Sequence, residues 1–215
     1  MRNRAWVGIL MMSIAGGIAA QEAEPVNLPP PQTEGGMPLM QALNARRSTR
    51  EFSPERLPPQ VLSDMLWAAT GVNRPESGKR TAPSARDWRE IDVYVATADG
   101  TYVFDPNAHA LRPVLPRDIR ALTGTQDFVP RAPVNLVYVA NLDRMTGPGS
   151  DQKGLYAAAA TGFIAQNVYL YCASAGLATV VRGSIDREAL AAAVGLGPNQ
   201  TIILAQTVGY PKTGH

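Results

Sequence analysis

Arg46, Arg47, Ser48, Thr49 and Arg50 put three guanidinium groups and two hydroxyls into five consecutive residues. A guanidinium is a planar fork that grips a phosphate through two parallel hydrogen bonds, and a neighbouring hydroxyl adds a third donor. The cluster follows Leu39, Met40 and Leu43, apolar residues at helical spacing, so it lies at the end of a helix. Cations also complement the dipole at a helix C-terminus, so by composition alone the same residues describe a solvated basic face at a helix end. More basic residues recur later, at Lys79, Arg80, Arg86 and Arg89, and finally at Lys212.

Other chemistries are poorly supplied. The only histidines are His109 and His215 and the only cysteine is Cys172, too few for a zinc site of the usual kind or for an internal disulfide. Cys172 sits in an apolar helical run and reads as a small buried hydrophobe, not a catalytic thiol. No spacing pairs two carboxylates. There is no glycine-rich dinucleotide loop after a strand, no phosphate-binding loop ending in lysine and no nucleophile elbow. Net charge is only +2, from 20 basic and 18 acidic residues, so no global field points to nucleic acid.

The first twenty residues differ in kind. Arg2 and Arg4 precede an apolar stretch from Ala5 to Ala20 that ends in small residues. This is the pattern of a cleavable signal peptide over residues 1–20, and it implies a periplasmic or secreted protein with no membrane span after cleavage. An uncleaved N-terminal anchor is the other reading of that stretch. Residues 21–36, rich in proline and glycine, read as an extended tether outside the core.

The remainder, residues 37–215, is long enough for one domain with a sizeable core, and 45% hydrophobic with 18% charged is ordinary globular composition. A helix is expected from about Pro38 to Arg46. A second begins at Pro59 and shows an apolar face through Val61, Leu62, Met65 and Leu66 before Gly71 stops it. Asn73 to Trp88 reads as a long polar loop, of the kind that is usually functional or disordered. Ile91 to Thr97 alternates as a strand, Asp99 and Gly100 turn it into Thr101–Phe104, and a third strand begins near His109. His109 is expected as a surface strand residue. Pro116 to Leu122 reads as a short helix and Pro133 to Ala140 as a central strand. Lys153 to Ala175 is the longest helical run and is apolar nearly all round, which buries it in a core or at a subunit interface. A strand at Ala178–Val181, a helix at Asp186–Val194 capped by Ser184 or Asp186, and a strand at Thr201–Val208 complete an α+β domain.

The order of these segments resembles the nitroreductase family. The resemblance runs through Arg46–Phe52, Trp67–Gly71, Thr81–Trp88, the alanine-rich helix ending at Gly176 and Leu177, and Val208–Lys212, nearly all of residues 37–212. Within the family it is closest to the subgroup containing azoline-oxidising dehydrogenases. The resemblance implies a three-layer α+β sandwich with a mostly antiparallel sheet, and a homodimer whose interface holds FMN. It implies that Arg46 and Ser48 bind the FMN phosphate with Arg47 beside them and Lys212 joining from the C-terminus. Arg50 would face the flavin pyrimidine edge, where a cation stabilises the negative charge that develops on reduction. Pro83, Ser84, Ala85 and Arg86 would reach the flavin of the other subunit, Gln126 would stand before the central strand, and the backbone of Val181, Arg182 and Gly183 would face the flavin N5 side. No catalytic acid–base residue and no metal ligand is implied.

The chain departs from the family pattern at Arg182, where many members carry an acidic residue, and at Thr125 and Gln126, where some place a lysine. The implied activity is two-electron transfer to or from a small organic molecule in ping-pong order. NAD(P)H is the usual electron donor, yet it is scarce outside the cytoplasm. Arg182 and the signal peptide fit a second reading, an exported flavin- or ligand-binding protein without turnover. A third reading, a basic-loop domain without cofactor, needs only solvated charges.

Overall fold

The computed structural model describes residues 24–147 and 149–212. The segment expected as a signal peptide and His215 lie outside the described residues. Seven strands form one antiparallel sheet, in the order β1 (Val26–Asn27), β6 (Ala110–Leu115), β5 (Thr101–Asp105), β4 (Ile91–Ala96), β7 (Val134–Asn141), β9 (Gln200–Gly209) and β8 (Ala178–Arg182).

Strand alternation sorts the core into two layers. Ile91, Val93 and Val95 of β4 and Leu136, Tyr138 and Ala140 of β7 face one side. There they pack on Met65, Leu66 and Ala69 of α2 (Pro59–Thr70) and on Ala157, Ala160, Ile164 and Val168 of α3 (Ser150–Ser174). Tyr94, Ala96, Val137 and Val139 face the other side and cover Leu190 of α4 (Arg187–Val194). Helices on both faces of an antiparallel sheet make the expected three-layer α+β sandwich. Asp186 caps α4, its side chain accepting the Ala189 N–H at 3.0 Å. Among the described residues no helix is long and apolar enough to cross a membrane.

Four expectations need correction. The long polar loop at 73–88 contains a small hairpin, β2 (Val72–Arg74) with β3 (Lys79–Arg80), and a 3-10 turn over Ala85–Asp87. Strands this short and this polar carry no hydrophobic alternation for a sequence reading to find. The short helix expected at Pro116–Leu122 is a 3-10 turn displaced to Arg120–Thr123.

The third correction concerns the segment expected as a tether. From residue 24 it is extended but laid onto the domain: β1 pairs with β6, Leu28 packs on the main core, and the Gln32 N–H is held by Asp64 at 2.8 Å. His109 is the clamp. It adopts φ +50°, and its Nε2 lies 2.7 Å from Ser63 Oγ and 3.1 Å from the Pro29 carbonyl, with the ring edge-on to Phe104. The ring satisfies both contacts in its neutral Nε2–H form, and burial pushes its pKa below the ordinary histidine range. His109 is therefore a packing residue between three segments, not a surface strand residue.

The expectation for α3 holds in part. Ala157, Ala160, Thr161, Ile164, Ala165, Val168 and Cys172 are buried, while Leu155 (68%), Phe163 (49%) and Tyr156 (39%) stay exposed. Beside them α1 (Leu39–Ala45) exposes Leu39, Met40 and Leu43. The helix is thus buried along one stripe and leaves an apolar face uncovered in the single chain.

Candidate functional site: a basic cleft at the sheet edge

Helix α1 ends at Arg46, and the chain then runs extended along the free edge of β8. The Thr49 N–H donates to the Thr179 carbonyl at 2.9 Å, Phe52 bridges to Pro211, and the Ser53 N–H donates to the Tyr210 carbonyl at 2.9 Å. The Lys212 N–H reaches the Glu51 carbonyl at 3.3 Å. Backbone pairing therefore brings the N-terminal basic cluster beside Lys212, although more than half of the chain separates them in sequence. Arg50 and Lys212 both line a cleft of about 1420 Å³ whose walls include Leu28, Phe52, Leu57, Tyr102 and Phe128.

Tyr169 organises the phosphate-binding candidates, and the sequence reading missed it. Its hydroxyl accepts the Val181 N–H at 2.9 Å and meets Ser48 Oγ at 2.8 Å. Because the Val181 N–H can only donate, the phenol proton is free to go to Ser48, which leaves the serine proton available for a ligand. The Arg46 guanidinium lies over the same ring at 5.4 Å from its centroid. The available signal was a tyrosine inside an alanine-rich helix, since a partly buried phenol needs a partner. The Val181 N–H, expected to face a flavin, is thus committed to Tyr169.

The Arg182 side chain turns away from solvent. Its backbone closes β8, while its side chain is 4% exposed and turns into the core. There Nε donates to Thr207 Oγ1 at 2.8 Å, Nη1 to the Thr123 carbonyl at 2.7 Å and Nη2 to Asn135 Oδ1 at 3.0 Å. All three partners are neutral, and burial pulls the guanidinium pKa down to about 10. The side chain comes so close to Gly124 that a Cβ there would collide with it. This packing, with the Thr125 N–H on the Ser184 carbonyl at 3.1 Å, fixes the loop that carries Gln126 next to the end of β8. Gln126 Oε1 is buried with no hydrogen-bond partner, a polar atom awaiting a donor. Gly183 is exposed, its carbonyl accepting from Arg187 at 3.2 Å.

Pro83, Ser84, Ala85 and Arg86 are not part of this cluster. They lie against the other half of α3, where Trp88 stacks edge-on to Tyr156 at 5.5 Å and Arg86 lies over the Trp88 ring at 5.6 Å. Tyr156 and Tyr169 stand on the same helix about 20 Å apart, at 1.5 Å rise per residue. Within one chain this loop therefore cannot reach Ser48. The loop is held under strain: Arg86, Asp87 and Arg89 have φ of +50°, +57° and +52°. Each left-handed non-glycine residue costs on the order of 1 kcal/mol. The offset comes from Ser84 Oγ, which accepts the Arg89 N–H at 2.9 Å and donates to the fully buried Glu90 at 2.6 Å. Glu90 is a second residue the sequence reading passed over. The Ser84 proton is thus committed within the chain.

The comparisons agree with this architecture. The nitroreductase family model matches residues 43–210. A nitroreductase-family protein of Methanocaldococcus jannaschii is 35% identical over 161 residues, 70% of this chain and 81% of the relative. A crystal structure of a nitroreductase-family protein from Ralstonia eutropha is 43% identical, covers 100% of both chains and superposes with a TM-score of 0.85. A more distant one from Desulfovibrio desulfuricans, solved in complex with FMN, is 22% identical, covers 83% of this chain and 89% of that one, and has a TM-score of 0.60. The chain belongs to the nitroreductase family.

Proposed function

We propose that the protein is an FMN-dependent oxidoreductase that moves two electrons at a time between small molecules in ping-pong order. The observation that carries this reading is the pairing of Ser48 with Tyr169 beneath Arg46, with Arg47, Arg50 and Lys212 close by. These forks, with Arg46 laid on Tyr169, and a hydroxyl with a free proton suit a phosphate monoester. The unpartnered Gln126 Oε1 suits an N–H donor such as a flavin ring offers. When bound, FMN would supply hydride transfer at N5; the protein's part is to hold the ring and place a substrate on it. Arg50 would stabilise negative charge at the pyrimidine edge, and the apolar cleft beside it would seat the substrate.

The site is completed by a second copy of the chain in this reading. The exposed stripe of Leu155, Tyr156 and Phe163 on α3, with Leu39 and Met40 of α1, is the surface such a dimer would cover. A two-fold contact there would bring the 83–86 loop of one protomer toward the Ser48 end of its partner's α3, which one chain cannot do. Export through residues 1–20 is part of the proposal and rests on sequence pattern alone. N-terminal sequencing of the mature protein should then begin at Gln21.

The activity is tested by the visible spectrum of the purified protein under anaerobic conditions, before and after NADH or NADPH. Oxidised-flavin bands that bleach support the oxidoreductase reading. Bands that no donor reduces support a flavin binder without turnover, and a colourless protein that takes up no FMN rejects both.

A further inference from the structure

A polar cavity of about 330 Å³ lies between the β2–β3 hairpin and the turn after β5, away from the cleft at Arg50 and Lys212. Four guanidinium groups line it, Arg80, Arg89, Arg112 and Arg144, against only two carboxylates, Asp92 and Asp105. Three of these cations are matched. Arg144 holds Asp92 through two bonds at 2.9 and 3.0 Å, Arg89 holds Asp87 at 2.6 and 2.9 Å, and Arg112 lies 3.5 Å from Asp105.

Arg80 is left over. Among the described residues no carboxylate lies within ion-pair distance of it, and its Nε is buried with no hydrogen-bond partner. A half-buried guanidinium pays desolvation, and here two like charges stand close by. Its pKa is accordingly lowered, first by burial and then by Arg89 and Arg144, with Asp92 and Asp105 offsetting only part. A cation this poorly compensated, walling a cavity with a net excess of positive charge, is what an anion would stabilise.

We propose that this cavity binds an oxyanion, the phosphate or carboxylate group of a small ligand, with Arg80 as the central donor and Arg89, Arg112 and Arg144 around it. The proposal is independent of the flavin reading, since the cavity shares no residue with the Ser48 cluster. The planar fork of Arg80 matches two oxygens of either group, and the bound charge would offset the repulsion among the guanidiniums.

The test is isothermal titration of the intact protein with inorganic phosphate at constant ionic strength. It is repeated on Arg80→Gln, Arg80→Lys and the double variant Arg46→Ala with Ser48→Ala. One saturable phosphate per chain at this site should survive in the double variant, weaken at least tenfold in Arg80→Gln and weaken less in Arg80→Lys. Circular dichroism in chloride should be unchanged in Arg80→Gln and Tm should be no lower, because no protein partner is lost and an uncompensated charge is removed. Citrate in place of phosphate separates the two sources: tighter phosphate indicates a phosphate ester, tighter citrate a carboxylate ligand. Saturable binding lost only in the double variant would overturn the proposal. So would a wild-type protein that binds neither anion, which would leave Arg80 satisfied internally, for example through water to the unpartnered Glu90 Oε1.

Discussion

Ser48 and Tyr169 stand 121 positions apart in sequence, and their hydroxyls meet at 2.8 Å. The contact joins the basic loop after α1 to the helix that crosses the core, while the Val181 N–H fixes the phenol from the other side at 2.9 Å. Tyr169→Phe removes that anchor and keeps the ring under Arg46. FMN affinity should fall about tenfold, or about 1.4 kcal/mol, the scale of one hydrogen bond. Quenching of free FMN fluorescence measures it. An unchanged Kd would show that Ser48 is positioned without Tyr169.

Arg182 is a buried tie between β8, β9 and the loop of Gln126. Arg182→Met leaves the Thr123 carbonyl without its donor and takes one of two donors from Asn135 Oδ1, which keeps Thr207 Oγ1 at 2.6 Å, and should cost about 2–4 kcal/mol. Urea unfolding should show a lower midpoint at unchanged slope. A midpoint equal to wild type would mean that relief of the buried charge balances the lost bonds.

His109 gives stability a pH dependence with a definite sign. Its folded-state pKa is depressed, so the unfolded chain binds the proton more readily than the folded one. Its contribution is present above the unfolded value of about 6.5 and is lost as pH falls below that value toward the folded pKa. Between pH 7.5 and 5 the Tm of the wild type should fall more than that of His109→Gln. Parallel curves would assign the acid sensitivity to other groups.

The uncovered stripe on α3 should be where two chains meet. Leu155→Glu with Phe163→Glu places two charges on it without touching the buried side of the helix. Sedimentation equilibrium should turn from dimer to monomer, and FMN content should fall with it, because in the proposed dimer the 83–86 loop would come from the partner. A wild-type monomer at micromolar concentration would contradict this assembly.

The fold was largely legible because its long elements carry strong periodicity: the alternation of Ile91, Val93 and Val95 and the run of small residues in α3 place both correctly. What escaped the sequence reading had no periodic signal. The β2–β3 hairpin is polar and held by backbone bonds. The pairing of Val26 and Asn27 with β6 depends on a distant His109. At the candidate site, residue types point to Arg46 and Ser48, but Tyr169 acts through a contact 121 positions away that only the tertiary fold creates. Arg182 ends a strand that is legible in the sequence, and its side chain points inward because β8 alternates.

The most direct measurement is FMN titration of the wild type against Arg46→Ala with Ser48→Ala, read as bound flavin per chain. The wild type should bind one FMN per chain, and the double variant should bind it at least a hundredfold more weakly. That is about 2.7 kcal/mol for a charged fork and a hydroxyl together. Equal flavin content in the two proteins would contradict it and move the cofactor away from the Ser48–Tyr169 pair.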